Sequence, residues 1–213
     1  MWKKHIRGAF FTQSVFLITD RKNHIYNRRN VVKWRKRKSA ENGETADLEK
    51  EETNMYFGVQ MYGVSKEWKQ DPEGFLKKIY EAGYRQIEPC LGFRVDARDY
   101  GFWIPEDLEQ AMPLLAKYHI EVHAVHIFLD EYHYERELAI LTELAQKYHI
   151  SWFVVKSPAR LTKDVLDETA ARYRELAEEL EKAGAGLLIH NEKEDICIRV
   201  NGKTAYEYLL EAC

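Results

Sequence analysis

The stretch 120–156, IEVHAVHIFLDEYHYERELAILTELAQKYHISWFVVK, decides the fold. Its two ends, Ile120–Leu129 and Ser151–Lys156, are short apolar runs bounded by polar residues, the pattern of strands buried in a sheet. The segment between them, 132–148, has the length and periodicity of a helix. Strand, helix and strand in this order make a crossover unit, which places the two strands parallel and side by side.

The same unit recurs in both directions. Upstream, Tyr56–Val64 reads as a first strand, and Asp71-Pro72 as a helix start with proline at the first helical position. Phe75, Leu76, Ile79 and Tyr80 then recur at helical spacing until Gly83. Residues 85–90 form a second strand, and Pro105 opens a helix with Leu108, Met112, Leu115 and Ala116 on one side. Downstream, 162–183 is a long helix with Val165, Leu166, Leu176 and Leu180 as its stripe, and Gly184–His190 is a fifth strand. A short extra strand over Asp195–Val200, the turn pair Asn201-Gly202 and a helix over Thr204–Cys213 complete the chain. Strands start near 56, 85, 121, 151 and 185, a repeat of about 32 residues. Eight repeats would need about 256 residues, the size of a closed barrel. Residues 55–213 number 159.

The expected fold is therefore α/β, an incomplete (β/α)8 TIM barrel of about five βα units. Its outer strands should have unpaired edges and its inner apolar layers should lie open to water, inviting self-association through those edges. An open doubly wound sheet is the competitor. Against it, Gly63-Val64-Ser65-Lys66 after the first strand has one glycine and lacks a dinucleotide fingerprint.

Composition separates residues 1–54 from the rest. Residues 1–40 hold twelve Lys or Arg and one acid, and 41–54 hold six acids and one lysine. We expect 1–54 to be a poorly structured basic, then acidic, extension, with Met55 as a candidate natural start and 55–213 as the N-terminal portion of a barrel domain. Lys50-Glu51-Glu52 is compatible with a purine-rich ribosome-binding sequence just upstream of the Met55 codon, which the gene sequence would test. A basic arm touching RNA or anionic lipid is the alternative. Residues 55–213 keep 19 basic and 28 acidic residues, a balance that disfavours nucleic acid as a partner. No stretch reaches 18 consecutive apolar residues, so no membrane span is expected. Gly8–Ile18 contains Thr12, Gln13 and Ser14 and lacks a cleavage pattern after it, so a secretory signal is not expected either. Three widely spaced cysteines, Cys90, Cys197 and Cys213, fit a reducing compartment, and a cytoplasmic location is the expectation.

In a parallel barrel, polar residues at the C-terminal strand ends converge on the active site. Those places hold Gln60 and Tyr62, Glu88, His123 and His126, Lys156, and the run His190-Asn191-Glu192-Lys193-Glu194-Asp195. Glu88 stands in an apolar strand tail, where an inward carboxylate is costly unless it is paired or binds something. It is the candidate for orienting a base or holding substrate hydroxyls, against a purely structural contact. His123 and His126 are three residues apart, so simple alternation puts them on opposite faces. His126 is the site candidate and His123 the core or helix-facing one. Lys156 either contacts a substrate phosphate or reaches solvent. The run after strand five offers imidazole and carboxylate donors suited to a divalent ion, although such acidic runs are usually solvated loops.

The chain resembles the sugar phosphate isomerase/epimerase members of the xylose-isomerase-like TIM barrel family. The resemblance rests on Gly58-Val59-Gln60-Met61-Tyr62, on Asp71-Pro72-Glu73-Gly74 followed by Leu76-Lys77-Lys78, and on Ala82-Gly83-Tyr84 with Ile87-Glu88. It continues through His126, Lys182-Ala183-Gly184, His190-Asn191, and Gly202-Lys203-Thr204 with Leu209-Leu210-Glu211. The resemblance implies a divalent metal (manganese, zinc or magnesium) at the barrel top, and proton transfer between adjacent carbons of a small keto sugar or polyol. It assigns Glu88 and His126 to catalysis, Gln60, Tyr62 and Lys156 to substrate, and His190 and Asp195 to metal. The family's His-Asn-His is broken here by Glu192, and its acidic position falls on Asp195 or, with a shifted gap, Glu194. The family's remaining ligands come from strands six to eight, so activity is expected of the complete parent rather than of this chain alone. A non-catalytic remnant or half of a split barrel is the alternative. An inositol-type dehydratase or a DNA-repair endonuclease of the same superfamily ranks below it.

Overall fold

The computed structural model describes residues 58–129 and 133–213, together with two-residue backbone ladders at Thr19–Asp20 and His24–Ile25. The rest of 1–54, and so most of the proposed extension, lies outside the described residues. From residue 58 the order is β1 (Gly58–Gln60), α1 (Ser65–Gln70), α2 (Pro72–Glu81), β2 (Gln86–Glu88), β3 (Cys90–Gly92), α3 (Pro105–Lys117), β4 (Glu121–Val122) and β5 (Ala124–Phe128). It continues with α4 (Tyr134–Tyr148), β6 (Trp152–Lys156), α5 (Lys163–Lys182), β7 (Gly186–His190), α6 (Lys193–Cys197), β8 (Arg199–Val200), β9 (Lys203–Thr204) and α7 (Ala205–Ala212).

The second and third barrel strands are each broken once. Pro89, with no N–H to give, separates β2 from β3, while its carbonyl accepts from the His126 N–H at 2.9 Å. One parallel ladder runs β1-β2-β4 and the next β3-β5-β6-β7, so five barrel strands stand in chain order. Among the described strands, β1 pairs only with β2 and β7 only with β6, which leaves two edges and an unclosed barrel.

Local chemistry explains the boundaries. Asp71 caps α2 by accepting the Gly74 N–H at 2.9 Å, with Pro72 at the first helical position. Gly83, at φ +94°, ends the turn after α2 in a conformation that a side chain would strain. The first strand is shorter than the apolar run suggests, because Tyr62–Val64 coils into a 3-10 turn. The extra strand expected over 195–200 is instead the short helix α6 followed by a β8-β9 hairpin around Asn201-Gly202.

The helices pack on one face of the sheet. Val59, Ile87, Leu91, Val125, Ile127, Phe153 and Val155 meet Leu76, Leu108, Leu115, Leu141, Leu166, Leu176 and Leu180 in one apolar cluster. Burying each such side chain is worth about 1.5–3 kcal/mol, so this outer layer carries most of the fold's stability. Met112 is only partly buried and Ala116 is exposed; Ala111 takes the buried place on α3. Cys90, Val154 and Leu188 are buried apart from that cluster, at positions that alternation assigns to the inner face. The expectation that the inner layers lie open to water therefore fails at this middle level. Trp152 flanks it on one side, its ring pressed so close to Gly186 that an added Cβ would sit 2.4 Å from Cζ3. His126 stands in the same row, opposite Cys90 and Val154, and the His190 ring lies in the next row toward the strand ends.

Candidate functional site

Parallel pairing aligns the strand ends and so brings their polar side chains together. Gln60 lies opposite Glu88 in the ladder, and Lys156 lies opposite His190. Gln60 Nε2 donates to Glu88 Oε1 at 3.2 Å. The same Oε1 lies 3.7 Å from His126 Nδ1, beyond a hydrogen bond but within charge contact. Glu88 is 7% exposed and His126 4%. Neither ring nitrogen of His126 has a partner, and both are buried. An unsatisfied buried polar atom costs about 1–3 kcal/mol, so two on one ring mark a place where a ligand atom belongs.

His126 reaches this position because its strand slips by one residue. Ile87 pairs with Val122 but Cys90 pairs with His126, so four residues on one strand run beside three on the other. This is a bulge at His123–Ala124. It breaks the two-residue alternation by which His123 and His126 were placed on opposite faces. His123 is neither core nor helix-facing: it is exposed at the bulge, and its carbonyl accepts from the Ser151 and Trp152 N–H groups, both at 3.2 Å.

His190 joins His126 edge to face, with ring centroids 5.1 Å apart. Burial, and then the charge His126 would carry, hold the His190 pKa below its ordinary 6.5, so it is neutral at pH 7. Lys156 is exposed and lies 2.8 Å from Glu192 Oε1 in an ion pair on the rim. Cys90, in the middle layer, stays a thiol, because burial and then Glu88's charge push it up to about 12.

Asp195 does not meet these groups. It is 3% exposed in the first turn of α6, where its Oδ2 accepts the Glu192 N–H at 2.7 Å. The groups acting on His190 are His126, Glu192, Glu88 and Lys156, whereas Asp195 acts on Tyr173 and Tyr206. Among the described residues no cluster of three or more His, Cys, Asp or Glu could hold a metal ion. The donors present here do not fit a complete divalent centre. The cap of α6 takes up Asp195 Oδ2.

Sequence reasoning missed the aromatic wall. Tyr62, 54% exposed, has its ring 5.7 Å from Phe102; Phe102 stacks on Phe128 at 4.3 Å, and Phe128 on His126 at 5.0 Å. Phe128 was readable as the last residue of a barrel strand, two past His126. Phe102 comes from the loop before α3 and has no positional signal. A cleft of about 480 Å³ lies behind this wall, bordered by Gly92, Phe102, Phe128 and Leu129.

No family model matches the chain, and no curated protein does. A solved structure of a sugar phosphate isomerase/epimerase from Parabacteroides distasonis is similar over 78% of this chain and 64% of its own, at 17% identity and a TM-score of 0.59. The chain thus spans under two thirds of that protein's length. A xylose isomerase-like TIM barrel protein from Mycobacterium smegmatis, solved in complex with magnesium, matches over 62% of this chain and 53% of its own at 16% identity. Its TM-score of 0.43 is too low to argue from. No helix of the described residues is long and apolar enough to cross a membrane. With its parallel strands in chain order and helices on the outer face, the chain shares an α/β barrel fold with the Parabacteroides distasonis structure, unclosed over the residues described.

Proposed function

We propose that these strand ends hold a small keto sugar or polyol and move a proton between its adjacent carbons, as an isomerase or epimerase does. The observation that carries this reading is the Glu88–His126 pair, an acid and an imidazole 3.7 Å apart, buried and under-bonded. Gln60 steadies one carboxylate oxygen. Glu88 is then the group that takes a proton from carbon, and the His126 ring donates to or accepts from the neighbouring oxygen. The gap between them matches reaction at two adjacent substrate atoms. No step is drawn through a metal, since the described residues do not form its site.

The test is solvent exchange. The full chain is incubated with a panel of keto sugars in D2O, with and without magnesium, manganese or zinc. Deuterium appearing at the carbon next to the carbonyl, and lost in Glu88→Gln, supports the reading. No exchange above buffer under any of these conditions sinks it.

A second reading is favoured by the unpaired edges of β1 and β7. In it the chain is one half of a split barrel, or a remnant that pairs with another copy, and the strand ends become competent only when those edges are covered. Sedimentation separates the two: exchange activity that tracks a monomer argues against the split barrel, and activity confined to an assembled species supports it.

A further inference from the structure

We propose that the ligand of this site is an uncharged sugar or polyol packed against the exposed Tyr62 ring at the outer end of the Tyr62–Phe102–Phe128 run, and not a phosphate ester. The inference rests on the sugar-binding reading above and adds the ligand's charge and its docking face.

Two independent features carry it. The first is the wall. Rings at 5.7, 4.3 and 5.0 Å form a continuous run from the exposed Tyr62 to the buried His126. Stacking between Phe102 and His126 covers the faces of Phe128, so the ring open to a ligand is Tyr62. An aromatic face of this kind meets the slightly positive C–H edges of a sugar, while hydroxyl groups on its rim reach polar side chains. Glu88, Gln60 and the two orphaned nitrogens of His126 supply those polar partners.

The second is charge. A phosphate group needs free cations or free backbone N–H groups. Lys156, the cation acting on His190, is held by Glu192 at 2.8 Å. The backbone N–H of Glu192, at the start of the short helix after β7, already gives its hydrogen to Asp195. Glu88 adds a buried carboxylate. A dianion placed here would meet the Glu88 and Glu192 carboxylates, a lysine paired with Glu192 and, at the cleft, Arg94 paired with Asp96 at 3.1 Å.

The experiment measures binding, not turnover. Saturation-transfer NMR on the full chain uses D-fructose, myo-inositol and a monophosphate of each, with inorganic phosphate as the anion control. The expected result is transfer to the C–H protons of the free compounds, with the monophosphates weaker by about fivefold or more. Tyr62→Ala, at an exposed position whose loss does not threaten folding, should weaken the free compounds by about 3- to 10-fold. Monophosphates binding as tightly as the free compounds, and losing that affinity in Lys156→Ala, would overturn the proposal, as would no binding by any of the four. Binding of free compounds without deuterium exchange would sink the proton-transfer reading and leave this one standing. Exchange confined to phosphorylated sugars would do the reverse.

Discussion

Replacing Glu88 by Gln separates a catalytic carboxylate from a structural one, because the two roles predict opposite signs in stability. The carboxylate is 93% buried, has four acceptor sites, and fills one of them with the Gln60 amide at 3.2 Å. His126 at 3.7 Å is too far to fill a second by a hydrogen bond. A buried anion this poorly satisfied costs several kcal/mol in desolvation, and one charge-assisted bond returns about 1.5–3. A neutral amide of the same shape removes that desolvation cost and keeps a hydrogen bond from Gln60. The expected net is a stabilisation of about 1 kcal/mol, or a rise in Tm of about 2–4 °C. Proton exchange should fall by about 10²-fold or more, the usual contribution of a positioned acid or base. Calorimetry reads the first number and deuterium incorporation the second. A Tm lowered by several degrees, with exchange unchanged, would show that Glu88 is a structural contact and refute the reasoning.

The remaining predictions concern packing and pH. Gly186→Val would push the Trp152 ring off the sheet floor and should destabilise the chain by about 1–3 kcal/mol, with a red-shifted tryptophan emission as the sign that the ring has moved into water. His190 binds protons less readily when folded than when unfolded, so its contribution to stability is complete above its ordinary pKa of 6.5 and is lost as pH falls through the lower folded value. Thermal melts should therefore drop between pH 7.5 and 5, and His190→Gln should flatten part of that slope. Asp71→Ala removes the cap of α2 and should cost about 0.5–2 kcal/mol by denaturant titration, with no effect on exchange.

How far the sequence could be read depended on whether the signal was local. The strand and helix order was visible because each unit repeats the same apolar periodicity, and the cap at Asp71-Pro72 is written in adjacent residues. Glu88 stood out as a carboxylate in an apolar strand, and it is one of the site's buried groups. The first strand was overestimated because Tyr62 and Val64 continue an apolar run through a turn that periodicity does not report. Asp195 was paired with His190 by the family resemblance. Five residues after the strand end, and three after Glu192, an acid also serves as a helix cap, and that cap forms. Phe102 belongs to the wall through tertiary contact alone, which no spacing in the sequence encodes.

The bulge at His123 is the clearest case of a site set by register, and it can be tested by deletion. Removing His123 would let Ala124 lie opposite Glu88 and keep His126 opposite Cys90, because the extra residue lies before the β3-β5 ladder. The strand would then alternate regularly and His126 would remain on the inner face. The loss would be the carbonyl that accepts from Ser151 and Trp152, two backbone bonds worth about 1–3 kcal/mol together. Inserting one alanine between Ala124 and Val125 should do far more harm, since it turns His126 outward and brings Val125 into its place. Histidine NMR distinguishes the outcomes. In the deletion, the His126 signal should still respond to Glu88→Gln, whereas after the insertion, which moves the ring under the helices in the place of Ile127, that response should be lost. If the deletion rather than the insertion abolishes the response, the register assigned to this strand is wrong, and with it the pairing of Glu88 and His126 on which the proposed chemistry rests.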